Sequence, residues 1–218
     1  MGENMQARDE RRFGRSELLA VCAALATMSI IVSNIITNKQ LDLLGFALPA
    51  GSLLIPVDYV IGDLVAEVYG FRAARRIILL AFAMNALAVG FFLLTLALPG
   101  FATFTAQESF QAVLGTTPRI LCSSLAAFAI GSLSNAKIMQ VMHVRDGESR
   151  LAWRCIFSTL VGEALDMTIF SVAAFAGVLP WEVISQMIVV NTLVKVAVEC
   201  LLYVLVTRFA IGWAKTLS

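Results

Sequence analysis

Three carboxylates, Asp58, Asp63 and Glu67, lie within VDYVIGDLVAEVYG at residues 57–70, and two more, Glu163 and Asp166, lie within STLVGEALDMTIF at residues 158–170. An ionised carboxylate only accepts hydrogen bonds, and it accepts two side by side from a planar donor edge. Asp63 and Glu67 are four apart and Glu163 and Asp166 three apart, spacings that set each pair on one side of a helix. Asp58 falls on a different face, nearer the mouth of any site the pairs would form. Two such pairs suit a cation, or a neutral ligand with adjacent N–H donors, and disfavour an anion. Further polar residues break the apolar runs: Asn34 and Lys39, Asn135 and Lys137, and the four-residue stripe Asn191, Lys195 and Glu199. Asn34 and Asn135 are expected as secondary ligand contacts. Lys39, Lys137, Asn191, Lys195 and Glu199 are expected to gate the site or to pack helices, with Lys195 paired to Glu199 along its own helix and Lys39 and Lys137 free to snorkel to headgroups.

The elements that must carry these groups are membrane helices. Of 218 residues, 59% are hydrophobic and 14% charged, with a mean hydropathy of +0.85, far from the balance of a soluble domain. A bilayer core about 30 Å thick takes roughly 20 helical residues to cross, and the stretch from Leu18 to Asn38 carries no charge. Apolar runs between polar breaks give an all-α, polytopic protein with six transmembrane helices near 17–38, 52–70, 76–98, 119–142, 155–178 and 183–208. No small-residue cleavage pattern follows the first run, so an uncleaved span is expected. Arg8, Arg11, Arg12 and Arg15, then Arg72, Arg75 and Arg76, then Arg145, Arg150 and Arg154, then Arg208 and Lys215 fall on one side. Only Lys39 and Arg119 flank the other, which places both termini in the cytoplasm. Residues 1–16 then form a cytoplasmic segment, 17–208 the membrane domain and 209–218 a cytoplasmic tail. The connection between Pro99 and Pro118, with Phe101, Phe104 and Phe110, is expected at the outer interface, and Trp181 is placed like an interfacial anchor. Cys22, Cys122, Cys155 and Cys200 stand singly in apolar runs and read as small buried hydrophobes.

The charged blocks also repeat. IGDLVAE from Ile61 overlies VGEALDM from Val161, Ser33-Asn34 overlies Ser134-Asn135, and NAL at Asn85 overlies NTL at Asn191, with offsets of 100, 101 and 106. The matches pair the first three spans (17–98) with the last three (119–208). Three is odd, so the halves enter the membrane from opposite sides, as inverted repeats. In that architecture the substrate site lies near the midplane between the halves.

SNIITNKQLDLLG, PVDYVIGDLVAEVYGFRAARRII, SNAKIMQ and STLVGEALDMTIF together resemble the VUT family of bacterial inner-membrane proteins, the queuosine precursor transporters. The similarity runs from Ser33 to the sixth span, and its most specific part is Asp63, Glu67, Tyr69 and Gly70 followed by Arg72, Arg75 and Arg76. The resemblance implies import of 7-deazaguanines, the cyano or aminomethyl queuosine precursors or queuine, for salvage into tRNA. A guanine-like edge offers adjacent N–H donors to a carboxylate. Asn or Lys then serves the carbonyl, and Phe170 or Phe92 stacks on the ring. No cofactor, metal or nucleic-acid partner is expected; a homodimer is compatible with the exposed faces.

Two other classes compete. A substrate-binding subunit of an energy-coupling-factor vitamin importer also has six spans, and the small-residue face of Ala20, Ala23, Ala24 and Ala26 would dock its partner, although such faces also pack helices. An enzyme is not expected: the single His143 has no metal-binding partner, and neither a nucleophile elbow nor a Gly-rich phosphate loop is present.

Overall fold

The computed structural model describes residues 14–146, 151–202, 205–206 and 208–217. Expectations that rest on residues 1–13, or on the side chains of His143, Arg145, Arg150, Arg154, Cys155 and Arg208, lie outside the described residues.

Helix α1 (Arg15–Ile36) begins where the Gly14 N–H donates to the Glu17 carboxylate at 2.9 Å, satisfying one of the donors a helix start leaves open. A hairpin of β1 (Gln40–Leu43) and β2 (Phe46–Pro49) follows, with Leu43 opposite Phe46. Its two-residue turn has φ of 55° at Leu44 and 89° at Gly45. Positive φ at both positions matches the right-handed twist of a hairpin, and the Gly45 N–H donates to Asp42 Oδ1 at 2.6 Å. No β-structure is expected from the sequence, and the reason is visible: each strand has only four residues.

The segment expected as the second span is divided. A 3-10 turn at Ala50–Leu54 leads into α2 (Ile55–Tyr69), which has 15 residues, a proline in its first turn and Asp58 near its positive end. At 1.5 Å per residue α2 is about 22 Å long, short of a hydrocarbon core. Gly70, at φ 84°, is the single residue between α2 and α3 (Phe71–Ala97). The buried residues of α3 are Ala74, Ile77, Ala81, Asn85 and Val89, one stripe at three- and four-residue steps. The third connection folds into a short helix, α4 (Gln107–Leu114), none of whose residues is buried. Phe104 meets Phe110 edge to face at 6.1 Å. Then come α5 (Thr117–Asp146), α6 (Leu151–Phe175), α7 (Trp181–Leu202) and, where a tail is expected, α8 (Arg208–Lys215).

Five stretches among the described residues are long and apolar enough to cross a membrane: α1, α3, Gln107–Asn135, Phe157–Phe175 of α6, and α7. The chain is a mostly helical, polytopic membrane protein. Its outward faces carry Leu, Phe, Val and Met, such as Leu79, Phe91, Leu133 and Val189. Cys122 and Cys200 belong to these exposed faces, and only Cys22 of the described cysteines is buried as expected. Within the bundle α1 packs on α3, and α5 runs against α6. At the end where α1 begins and α8 lies, Leu18 and Cys22 of α1, Ile61, Leu64 and Val65 of α2, Ala74 and Ile77 of α3 and Ala214 of α8 form one apolar cluster. At the opposite end Ala174 and Phe175 of α6 meet Ile184 and Met187 of α7, with Ala47 of the hairpin against them.

Candidate functional site

A cavity of about 460 Å³ opens between the helices, lined from α1, the 3-10 turn, α2, α3, α5, α6 and α7. Its roof is Thr37, Pro49, Gly51 and Ser52. That roof is seated tightly: a Cβ on Gly51 would lie 2.6 Å from Ser33 Oγ and 2.8 Å from the Ser33 carbonyl, so only glycine lets the 3-10 turn close onto α1. Ser52 Oγ donates to Asn191 Oδ1 at 3.0 Å and ties the turn to α7. The floor is apolar, since Ile61, Val65, Ala74 and Ile77 line the cavity and also belong to the terminal cluster.

Between roof and floor stand five carboxylates, Asp58, Asp63, Glu163, Asp166 and Glu199, and one cation, Lys195. Membrane helices reserve such groups for a bundle interior or an aqueous cavity, because each costs about 2.5–3.5 kcal/mol at the bilayer centre on insertion scales. The Lys195 ammonium lies 2.7 Å from Asp166 Oδ2 and 3.1 Å from Glu163 Oε2. Tyr59 stands against Glu163, and Ser29 of α1 against Asp58. Asn34 is 6% exposed; its Oδ1 accepts from Ser124 Oγ at 3.3 Å, while its Nδ2 has no partner among the described residues. Four aromatic rings complete the wall: Tyr59, Phe82, Phe128 and Phe170. Phe82 and Phe128 lean on each other at 5.7 Å, and Phe170 is held edge-on to Phe175 at 5.9 Å.

The expected contacts Asp63, Glu163, Asp166, Asn34 and Asn135 are thus brought to one cavity. Glu67 is not. It lies one turn beyond Asp63, in the last turn of α2, and is paired with Lys215 of α8 at 2.5 Å with more than half of its side chain exposed. Four-residue spacing fixes the face of a helix but not the depth at which the cavity stops. Asp58, expected only at the mouth, lines the cavity itself, as does Glu199. Lys195 also corrects its expected pairing: it reaches across to α6 instead of along α7 to Glu199. Asn191 is fully buried beside the roof, and Lys39 and Lys137 are exposed and outside the lining. Phe170 lines the cavity while Phe92 does not. The sequence does not distinguish Tyr59, Phe82 and Phe128 as lining residues, because in an apolar helix an aromatic residue carries no mark of which way it faces. Among the described residues no group of His, Cys, Asp and Glu is arranged to hold a metal ion.

A bundle of membrane-long helices around a cavity whose walls are ionisable is the construction of a solute transporter. The family follows from comparison: residues 49–209 match the model of the family described as "Putative vitamin uptake transporter", and the chain belongs to that family. It is also similar to a protein of Bacillus subtilis (strain 168) named "Probable queuosine precursor transporter", with 25% identity over 176 residues that cover 78% of this chain and 74% of the relative. No solved structure matches the chain. Both matches are to transporters, and the protein is a transporter and not an enzyme.

Proposed function

We propose that this protein imports 7-deazaguanine precursors of queuosine across the bacterial inner membrane, by alternating access around the central cavity. The observation that carries this reading is Asn34 Nδ2, without a hydrogen-bond partner among the described residues and in the same cavity as Asp63, Glu163 and Asp166. A buried N–H without an acceptor is expensive, and a ligand carbonyl would satisfy it. The carboxylates would take the ring N–H and amino donors on the ligand's other edge, and Phe170 offers a face for the bicyclic ring. Asn135 is a secondary contact. The volume of about 460 Å³ lies within the roughly 300–1,000 Å³ of small-molecule sites. The name of the Bacillus relative points to the same substrates.

Rocking between inverted halves is the proposed movement, with α2 and the 3-10 turn together serving as the second of six crossings and both termini in the cytoplasm. Support comes from paired positions: Asp63 and Glu163, and Asn34 and Asn135, line one cavity, and Asn85 and Asn191 are both fully buried with an Nδ2 that has no partner among the described residues. The small-residue face that would dock a coupling module divides, since Ala23 and Ala26 pack inward and only Ala20 and Ala24 are exposed. A self-sufficient carrier is the better reading. The test is to express the chain alone in a bacterium that neither makes nor imports these precursors, supply each 7-deazaguanine, and assay queuosine in tRNA. Modification that depends on Asp63 and Glu163 supports the reading. None, despite membrane expression, removes it in favour of another solute or a required partner.

A further inference from the structure

Lys195 occupies the place where a donor edge would bind. With its ammonium 2.7 Å from Asp166 Oδ2 and 3.1 Å from Glu163 Oε2, the carboxylate pair is already bridged. The lysine side chain remains 18% exposed and the acids 20%, and all three line the cavity; Glu163 Oε2 itself is covered, so a ligand reaches it only as the lysine moves aside. The lysine hangs from α7 and both acids from α6, so the bridge crosses a seam between helices instead of lying along one. Another acceptor is at hand: Glu199, one turn along α7, lines the same cavity and feels the lysine's charge. An ammonium on a flexible stem exchanges partners by a change of rotamer, unlike the planar fork of arginine.

We propose that Lys195 is a resident competitor for the substrate: in the empty cavity its ammonium holds Glu163 and Asp166, and a ligand with two adjacent N–H donors binds by displacing it to Glu199. The identity of that ligand rests on the 7-deazaguanine reading; the displacement does not. Selectivity follows. A solute with a single donor cannot replace both contacts at once, so the lysine sets a threshold that only a paired donor edge passes. Before a ligand binds, the single lysine charge also offsets part of this carboxylate pair's charge without a co-ion.

Two substitutions give opposite signs. Lys195→Arg fastens the pair with a bidentate fork that is harder to displace, and KM for uptake of 7-cyano-7-deazaguanine rises by roughly tenfold, about the worth of one charge-assisted hydrogen bond. Lys195→Gln leaves a neutral group that yields readily, and KM falls. A lysine that merely braces α6 against α7 predicts the reverse, with arginine close to wild type and glutamine impaired; that pattern, or an unchanged KM in both variants, overturns the proposal. A second measurement needs no 7-deazaguanine. Guanidinium chloride at low millimolar concentration, itself a paired N–H donor, must displace the lysine in the wild type but meets no competitor in purified full-length Lys195→Ala, so it raises the melting temperature of the variant more than that of the wild type. If the alanine variant does not fold, Lys195→Gln replaces it in the same melt. Equal responses of wild type and variant sink the displacement. Uptake that fails for every 7-deazaguanine while guanidinium still discriminates removes the substrate reading and leaves the competitor standing.

Discussion

Gly131 of α5 and Gly162 of α6 meet with no side chain between them: a Cβ on Gly162 would lie 2.8 Å from the Cβ of Asn135, and one on Gly131 would lie 2.9 Å from the Cβ of Asp166. The close crossing therefore sets the spacing of two cavity-lining side chains on facing helices, a use of small residues common in membrane bundles.

Gly162→Ala forces these backbones apart. Overpacking of this kind costs about 1–3 kcal/mol, so the variant should melt earlier in detergent and lose uptake. Gly62, its counterpart in the sequence repeat, has nothing within 4 Å of a built Cβ. Gly62→Ala should hold or raise the melting temperature, since alanine favours a helix by up to about 1 kcal/mol over glycine. Thermal melts of the two variants side by side check the contrast.

That contrast also marks what a sequence can and cannot say about this molecule. The apolar runs of α1, α3, α6 and α7 announce themselves by length and lack of charge, and the clustering of Asp63, Glu163, Asp166, Asn34 and Asn135 follows from the expense of burying them anywhere but a cavity. Depth is harder. Asp63 and Glu67 share a face by periodicity, yet one lines the cavity and the other meets Lys215 beyond its floor. Partner choice is harder still, because Lys195 has Glu199 on its own helix and finds Glu163 and Asp166 on another. The hairpin was hidden by four-residue strands and by Leu44, a residue that rarely adopts the positive φ it shows there. The repeat in the sequence did not announce that α1 would lie on α3 while α5 lies on α6.

Glu67→Gln and Asp63→Asn should separate. The Glu67–Lys215 pair is about half exposed on both sides, and exposed pairs are worth at most about 1 kcal/mol, so Glu67→Gln should keep KM and shift the melting temperature little. Asp63→Asn removes a charged acceptor from the cavity and should weaken uptake by about 10- to 100-fold at unchanged expression, the worth of a hydrogen bond to a charged group. Transport kinetics on both variants decide the matter, and equal losses would return Glu67 to the site.

Asn34→Ala should spare the fold more than most buried polar substitutions, because among the described residues its Nδ2 makes no hydrogen bond and its side chain loses only the contact from Ser124. Uptake at limiting substrate should fall by roughly tenfold, the worth of about one hydrogen bond to the ligand. A variant that melts normally and transports at wild-type KM would show that the amide does not touch the substrate.

Arg119 carries a different expectation. Its Nε donates to the Ala173 carbonyl at 2.7 Å and its Nη2 to the Ala176 carbonyl at 2.6 Å, closing the end of α6 where the chain turns at Gly177. A cation there also meets the negative end of the helix. Both hydrogen bonds are exposed, so Arg119→Ala should destabilise by about 1 kcal/mol, the net worth of a hydrogen bond, and Arg119→Lys, which lacks the fork, should recover only part of it. Melting temperatures of the two variants test this.

The shortness of α2 bears on how the protein is made. With 15 residues that include three acids, α2 is a poor candidate to leave the insertion machinery for lipid unaided, since each central aspartate works against partition by about 2.5–3.5 kcal/mol. Yet it is joined to the 27-residue, far more apolar α3 through Gly70 alone, which leaves no loop in which one could wait for the other. On the proposed six-crossing reading, the acidic helix would stay sheltered during synthesis until its successor emerges, and the two would enter the bilayer as one hairpin.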